Sequence, residues 1–230
     1  MEKPSFSRSK VEQFIQCPRC FYLDKKLGIS QPPSFPFTLN NAVDVLLKKE
    51  FDYFREKQEV HHIVKQQGYD FIPFKHPLID DWRSIKKGIR RQYKGYEFWG
   101  AIDDVWVNTA GELILVDYKA TASSSPVQAL NREYHDIYKR QIEFYQWLFR
   151  NSEFSVSDTA YFVYCTGNSA ANYLNRRLEF SIHIIPHTST TNWIEPQLDA
   201  LISCYESAAL PNASSTCKLC QYAHARTIHE

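Results

Sequence analysis

No stretch of this sequence stays apolar for long. None reaches the roughly 18–20 residues that a membrane-spanning helix requires, so no helical membrane anchor is expected. The opening residues, Met1-Glu2-Lys3-Pro4-Ser5, lack the apolar core of a secretory signal. A soluble, cytoplasmic protein is the expectation. No sign of charge dominates either: the formal net charge is +1. A strongly basic chain would have pointed to nucleic acid by itself, so any polyanion site here has to be local. Internal repeats, low-complexity tracts and an obvious linker are also missing.

What is present argues for one substantial core. The chain has 230 residues, 43% hydrophobic and 15% aromatic, which is not the composition of a disordered segment. A chain of this size buries roughly 70–75% of its unfolded surface. A single domain over residues 1–230 is expected. Ser9 and Glu12 fit a capping box at the start of a first helix, interrupted by Pro18. Ala42, Val43, Leu46, Leu47 and Phe51 recur at helical spacing, so residues 39–56 read as a helix. The region 39–94 is taken as a helical segment inserted before the core, with further helix near Trp82 to Tyr93. Lys86, Lys87, Arg90, Arg91 and Lys94 cluster there, either as a local polyanion site or as a solvated helix face.

From Tyr96 the period changes. Residues 96–107 and 112–119 are rich in β-branched and aromatic side chains, and Asn108-Thr109-Ala110-Gly111 between them is turn chemistry. A hairpin over 96–119 follows. A helix over 130–150, strands over 159–165 and 177–185, and a last helix over 191–209 complete an α/β pattern with a mixed sheet.

The chemistry concentrates in that hairpin. Leu113-Ile114-Leu115-Val116 is a continuous apolar run, as in a strand buried on both faces. It ends in Asp117 and Lys119, which lie two residues apart and so share a face. Charges there are costly unless paired or metal-bound. Asp103 or Asp104 comes from the neighbouring strand, and turn parity decides which: an odd loop sets Asp103 beside Asp117, an even loop Asp104. A divalent ion such as Mg²⁺ suits paired carboxylates, taking water and phosphate oxygens in its other positions. Metal-bound water is more acidic, and a lysine beside it can offset charge on a phosphate.

Gly100-Ala101-Ile102-Asp103, a short hairpin, then Asp117-Tyr118-Lys119 resembles the core motif of PD-(D/E)XK nucleases of the RecB type, which include CRISPR-associated adaptation nucleases. The resemblance implies a restriction-endonuclease-like α/β core with a mixed central sheet flanked by helices. It implies Asp103 and Asp117 as ligands of Mg²⁺ or Mn²⁺, the Tyr118 carbonyl as a further ligand, and Lys119 as the catalytic lysine. Gln141 and Tyr145, spaced i, i+4, resemble the Gln-x-x-x-Tyr motif that supports that lysine and the nucleic acid. The segment Ser7 to Phe21 resembles the family's opening. Where the family often carries a histidine ligand, this sequence has Asp44, within Asn40-Asn41-Ala42-Val43-Asp44; an ordinary acid near a helix N-terminus is the alternative.

Six cysteines in a cytosolic chain need not form disulfides. Cys165 and Cys204 read as small core residues. Cys17-Pro18-Arg19-Cys20 and Cys217-Lys218-Leu219-Cys220 form two Cys-x-x-Cys units, the donor set of a structural zinc ion or an iron–sulfur cluster, tying the N-terminal helical region to the C-terminal segment. Some RecB-type nucleases hold a [4Fe–4S] cluster on one N-terminal and three C-terminal cysteines. The two-plus-two arrangement departs from that pattern and keeps zinc open.

The expected function is metal-dependent hydrolysis of DNA phosphodiesters, with a role in DNA repair. The alternative is a catalytically idle nuclease fold that binds nucleic acid or a protein partner.

Overall fold

The apolar run Leu113-Ile114-Leu115-Val116 forms the first half of the central strand of the sheet, and all four side chains are buried. In the computed structural model, which describes residues 4–33 and 35–229, the elements in chain order begin with β1 (Ser5–Ser7), α1 (Arg8–Gln16), α2 (Pro18–Leu27), α3 (Thr38–Lys57) and α4 (His62–Gln66). Then come β2 (Ile72–Pro73), α5 (Ile79–Arg83), β3 (Ile89–Tyr93), β4 (Tyr96–Gly100), β5 (Asp104–Val107) and β6 (Leu113–Ser123). A 3₁₀ turn (Glu133–His135) leads into α6 (Asp136–Phe149), followed by β7 (Thr159–Asn168), β8 (Phe180–Thr188), α7 (Ile194–Glu206) and α8 (Lys218–Ile228).

The chain divides into two compact units. One comprises Met1–Phe35, Gln92–Phe98 and Asn192–Glu230; the other comprises Pro36–Arg91 and Trp99–Thr191. The larger unit holds a five-stranded sheet of order β2-β5-β6-β7-β8. Its β6–β7 pair is parallel and its remaining pairs are antiparallel, so the sheet is mixed. A parallel pair needs a crossover connection, and α6 lies on the one between β6 and β7. Strand alternation then sorts the side chains. Val116 and Tyr118 pack with Leu47 and Phe51 of α3, in a core that includes Trp106, Ile114 and Val163. Asp117 and Lys119 point the other way, where α6 brings Gln141 to Lys119. Burying Leu47 and Phe51 contributes roughly 1.5–3 kcal/mol each.

The smaller unit is built around aromatics. Phe6 of β1 meets Phe21, Tyr96, Phe98 and Tyr205 at ring-centroid distances of 5.3–5.7 Å. Pro18 opens α2, where its missing N–H costs nothing, and Gly28 closes that helix in the left-handed conformation (φ 70°).

Several sequence expectations are corrected at element level. The expected helix near Trp82–Tyr93 is α5 followed by a strand: from Ile89 to Tyr93 inward and outward residues alternate with period two, which outweighs the helix-compatible charges. The first half of the expected hairpin breaks at residues 101–103, and β4 joins β1 and β3 in a separate three-stranded sheet. α1 is preceded by Ser7, which makes no side-chain cap bond, so the Ser9–Glu12 capping box does not form; Ser7 Oγ lies 2.8 Å from Ser9 Oγ instead. The basic cluster is largely engaged. Lys87 bonds Asp81 at 2.7 Å and Lys94 bonds Asp199 at 2.6 Å. Arg91 lies 4.0 Å from the Trp147 ring centroid, and Arg90 lies 5.3 Å from that of Trp99.

Candidate active site

Five residues, Asn108 to Glu112, connect Val107 to its partner Leu113. The odd count decides the parity. The register that pairs Asp104 with Val116 makes Asp103, just ahead of β5, and Asp117 the next residues on their two chains, the parity that turns Asp103 away from the Asp104 face. A bond across the pair reinforces this, since the backbone N–H of Tyr118 donates to Asp103 Oδ2 at 3.0 Å.

Asp104 falls on the opposite face and is wholly buried. Its carboxylate accepts from the Arg55 guanidinium, from Arg83 Nη2 at 2.8 Å, from the Val105 N–H at 2.8 Å, from Trp106 Nε1 at 3.2 Å and from the Tyr118 hydroxyl at 2.6 Å. Burial alone would raise this carboxyl; Arg55, then Arg83 and the Tyr118 hydroxyl, hold it below the usual carboxylate range. With its oxygens engaged by five donors, Asp104 has a structural role.

Asp103 opens instead into a cleft of about 240 Å³, lined also by Asn40, Asp44, Lys119 and Tyr138. Helix α3 supplies Asn40 and Asp44, and Asn40 Nδ2 donates to the Ala120 carbonyl at 2.8 Å, tying the start of α3 to β6. Asp117 is 1% exposed and ion-paired with Lys119. Lys119 Nζ lies 3.5 Å from Gln141 Oε1 and 4.7 Å from the centroid of the Tyr138 ring. Gln141 Nε2 donates in turn to Tyr145 Oη at 3.2 Å. Desolvation favours a neutral Lys119, but Asp117 and then Asp103 outweigh it and keep the group an ammonium. Burial, and next the neighbouring Asp103 carboxylate, raise the Asp44 carboxyl above its ordinary value.

Two contributors escaped the sequence reading. Tyr138 stacks under the Lys119 ammonium. Lys48, one turn beyond Asp44, places its Nζ 2.9 Å from Asp44 Oδ2 and 3.2 Å from Asp103 Oδ1. Its i, i+4 spacing from Asp44 was visible; its approach to Asp103, 55 residues away, was not.

Asp103 and Asp44 meet at Lys48 and offer carboxylate oxygens, the ligands Mg²⁺ and Mn²⁺ prefer, and one or two carboxylates are enough for such an ion. Asp117 does not join them in a three-acid cluster: among the described residues no three carboxylates bring their oxygens within 4.8 Å of one another.

In the smaller unit Cys17, Cys20, Cys217 and Cys220 converge, with all four sulfurs within 4.8 Å of one another. Cys20 Sγ lies 3.6 Å from Cys217 Sγ and 3.5 Å from Cys220 Sγ, and Cys17 lies 3.8 Å from Cys220. Such a cluster can hold a metal ion. Burial opposes the Cys17 thiolate, yet hydrogen bonds from Ser214 and Cys20 lower its pKa, while burial raises the Cys20 and Cys220 thiols, so without an ion the four sulfurs share few negative charges. Among the described residues no helix is long and apolar enough to cross a membrane.

The family description of the PD-(D/E)XK nuclease superfamily matches residues 38–225. No curated protein matches the sequence. Among solved structures, the crystal structure of SSO0001 is similar at 17% identity and a TM-score of 0.48, over 97% of this chain and 86% of that one. With its five-stranded mixed sheet flanked by helices and a match spanning most of its length, the chain belongs to the PD-(D/E)XK nuclease superfamily and has a restriction-endonuclease-like fold.

Proposed function

We propose that this protein is a divalent-metal-dependent nuclease that hydrolyses DNA phosphodiesters. The observation that supports the reading is the register: Asp104 pairs with Val116, so Asp103 and Asp117 are the next residues on their two chains, and Asp103 lines the same cleft as Lys119. Asp103 and Asp117, with Asp44 and the Tyr118 carbonyl, would hold Mg²⁺ or Mn²⁺. When bound, such an ion supplies Lewis acidity and a more acidic water.

The protein's own groups do the rest. Lys119 stays protonated and directs its N–H groups at the attacking water and at the charge growing on the phosphate. Gln141 accepts from Lys119, and Tyr145 and Tyr138 restrict where that ammonium can go. Asn40 fixes the wall of the cleft against β6. The buried ion cluster around Asp104 holds β5 and β6 in the register on which the site depends.

The direct test is incubation of the purified protein with single- and double-stranded DNA and Mn²⁺, followed by gel analysis. Cleavage that needs the ion and disappears in Lys119→Ala is the expected result. Cleavage unaffected by Lys119→Ala overturns the assignment.

A second reading, a nuclease fold that binds nucleic acid without cutting it, draws on one observation: the Lys48 ammonium already occupies Asp44 and Asp103. Metal titration separates the two readings, because an ion that binds the folded state raises the melting temperature by mass action. Asp117→Asn should abolish that rise.

For the four cysteines we propose a single tetrahedral ion, zinc first. A zinc–thiolate bond of about 2.3 Å gives a tetrahedron with edges of about 3.8 Å; three of the six sulfur separations, at 3.5–3.8 Å, support that size, and all six are within 4.8 Å. A four-iron cube would hold its thiolates farther apart. With all four positions taken by protein, the ion's role is structural.

A further inference from the structure

Lys48 stands where two carboxylates meet. Its Nζ is 2.9 Å from Asp44 Oδ2 and 3.2 Å from Asp103 Oδ1, and both acids line the cleft beside Lys119. The three side chains are only a quarter to a third exposed: 25% for Lys48, 33% for Asp44 and 24% for Asp103. Two like charges at that depth repel, and a cation between them removes the penalty. In the structure that cation is a side chain.

We infer that Lys48 is a resident counter-ion of the candidate metal site, one that holds Asp44 and Asp103 together before a divalent ion arrives and competes with that ion for their oxygens. The inference rests on the metal-dependent reading above. The chemistry of the ammonium carries it. An ammonium has three donors and no acceptor, so it can pair with a carboxylate but cannot join a coordination sphere. A divalent ion at Asp103 and Asp44 therefore has to win those oxygen lone pairs from Lys48.

The four-carbon stem makes the exchange feasible, because it is flexible and the side chain is 25% exposed. Lys48 thus has two opposed effects. It stabilises the metal-free fold by neutralising the repulsion between two acids, and it weakens the hold on the ion. Lys119 differs in both respects: its partner acid Asp117 is 1% exposed, and its ammonium is further boxed in by Gln141 and Tyr138. One lysine is built into the wall, while the other is a removable plug.

The test uses the full chain without nucleic acid, following the melting temperature as Mn²⁺ is added. Lys48→Met keeps the stem and removes the charge. It should melt below the parent when metal-free, yet reach half of its Mn²⁺-induced shift at about tenfold lower Mn²⁺, equivalent to about 1.4 kcal/mol. Lys48→Gln should move both quantities the same way, and serves if the methionine variant does not fold. Free Mn²⁺ measured by electron paramagnetic resonance gives the affinity independently of melting. An unchanged half-saturating Mn²⁺ in the folded variants, with Asp117→Asn still abolishing the parent's shift, overturns the inference and leaves the metal site standing. A parent protein that shows no Asp117-dependent Mn²⁺ shift overturns the metal site itself, and this inference with it.

Discussion

The hydroxyl of Tyr118 donates to Asp104 Oδ2 at 2.6 Å while the backbone N–H of the same tyrosine donates to Asp103 Oδ2 at 3.0 Å. One residue thus holds two adjacent aspartates, each on its own face of the sheet, and separates a structural acid from one that opens into the cleft.

Removing the structural half of that arrangement should cost stability. Tyr118→Phe leaves a buried carboxylate one donor short and should lower unfolding free energy by about 1–3 kcal/mol. Asp104→Asn removes the buried anionic partner of the Arg55 and Arg83 guanidinium groups, which are 3% and 9% exposed and keep only the half-exposed Asp52 as counter-charge, and should cost about 3–5 kcal/mol. Urea denaturation followed by tryptophan fluorescence measures both, and the asparagine variant should be the worse.

Acid should weaken the fold in two steps. His61 is buried against Phe51, with ring centroids 4.2 Å apart, and its Nδ1 accepts from the Ile63 N–H at 3.1 Å. Burial, then the neighbouring His62, hold it below its ordinary value of 6.5. A neutral imidazole in the fold contributes stability that is complete above about pH 6.5. That contribution is lost as pH falls toward the folded value. Asp104, depressed by its arginines, contributes stability that is complete above about pH 4 and lost as pH falls through its lower folded value. Melting temperatures from pH 8 to pH 3 should show both declines, and His61→Gln should flatten only the first.

If the four cysteines hold the proposed ion, stripping it should loosen the protein without touching the strand acids. Cys220→Ser should lose most of the bound metal by inductively coupled plasma mass spectrometry and lower the melting temperature. Cys204→Ala, on α7 and outside the cluster, should retain it. A protein that is brown, with iron in place of zinc, would reject the single-zinc proposal.

The groups behind Lys119 should matter in order of distance. On the proposed nuclease reading, Gln141→Ala removes an acceptor of the Lys119 ammonium and should lower DNA cleavage about tenfold to a hundredfold, the size of effect of removing an outer partner of a metal site. Tyr145→Phe acts one bond further out, through Gln141, and should cost less. Initial rates on a labelled oligonucleotide at saturating Mn²⁺ compare the two.

The central strand was readable because its chemistry is local. Four apolar residues followed by Asp117 and Lys119 fix both the element and the shared face. The choice between Asp103 and Asp104 was not readable, since it turns on whether the loop has five residues or four, and strand ends blur by that amount. The strand Ile89–Tyr93 hid because arginine and glutamine suit a helix surface as well as an exposed strand face. Helix α8 was missed for a related reason: none of its residues is buried, so it shows no apolar stripe. Lys48 could be placed on its helix, but its approach to Asp103 is made only by the folded chain.

The cysteine cluster also sets a timetable. During translation Cys17 and Cys20 emerge early, and Cys217 follows Cys20 only after another 197 residues. Throughout that interval two thiols wait without their partners, open to oxidation or to a mismatched soft metal. The yield of correctly assembled protein should therefore follow the supply of the right ion and of reductant late in synthesis. Recombinant expression starved of zinc should fail by oxidation of the early pair while the strands bearing Asp103 and Asp117 form as usual.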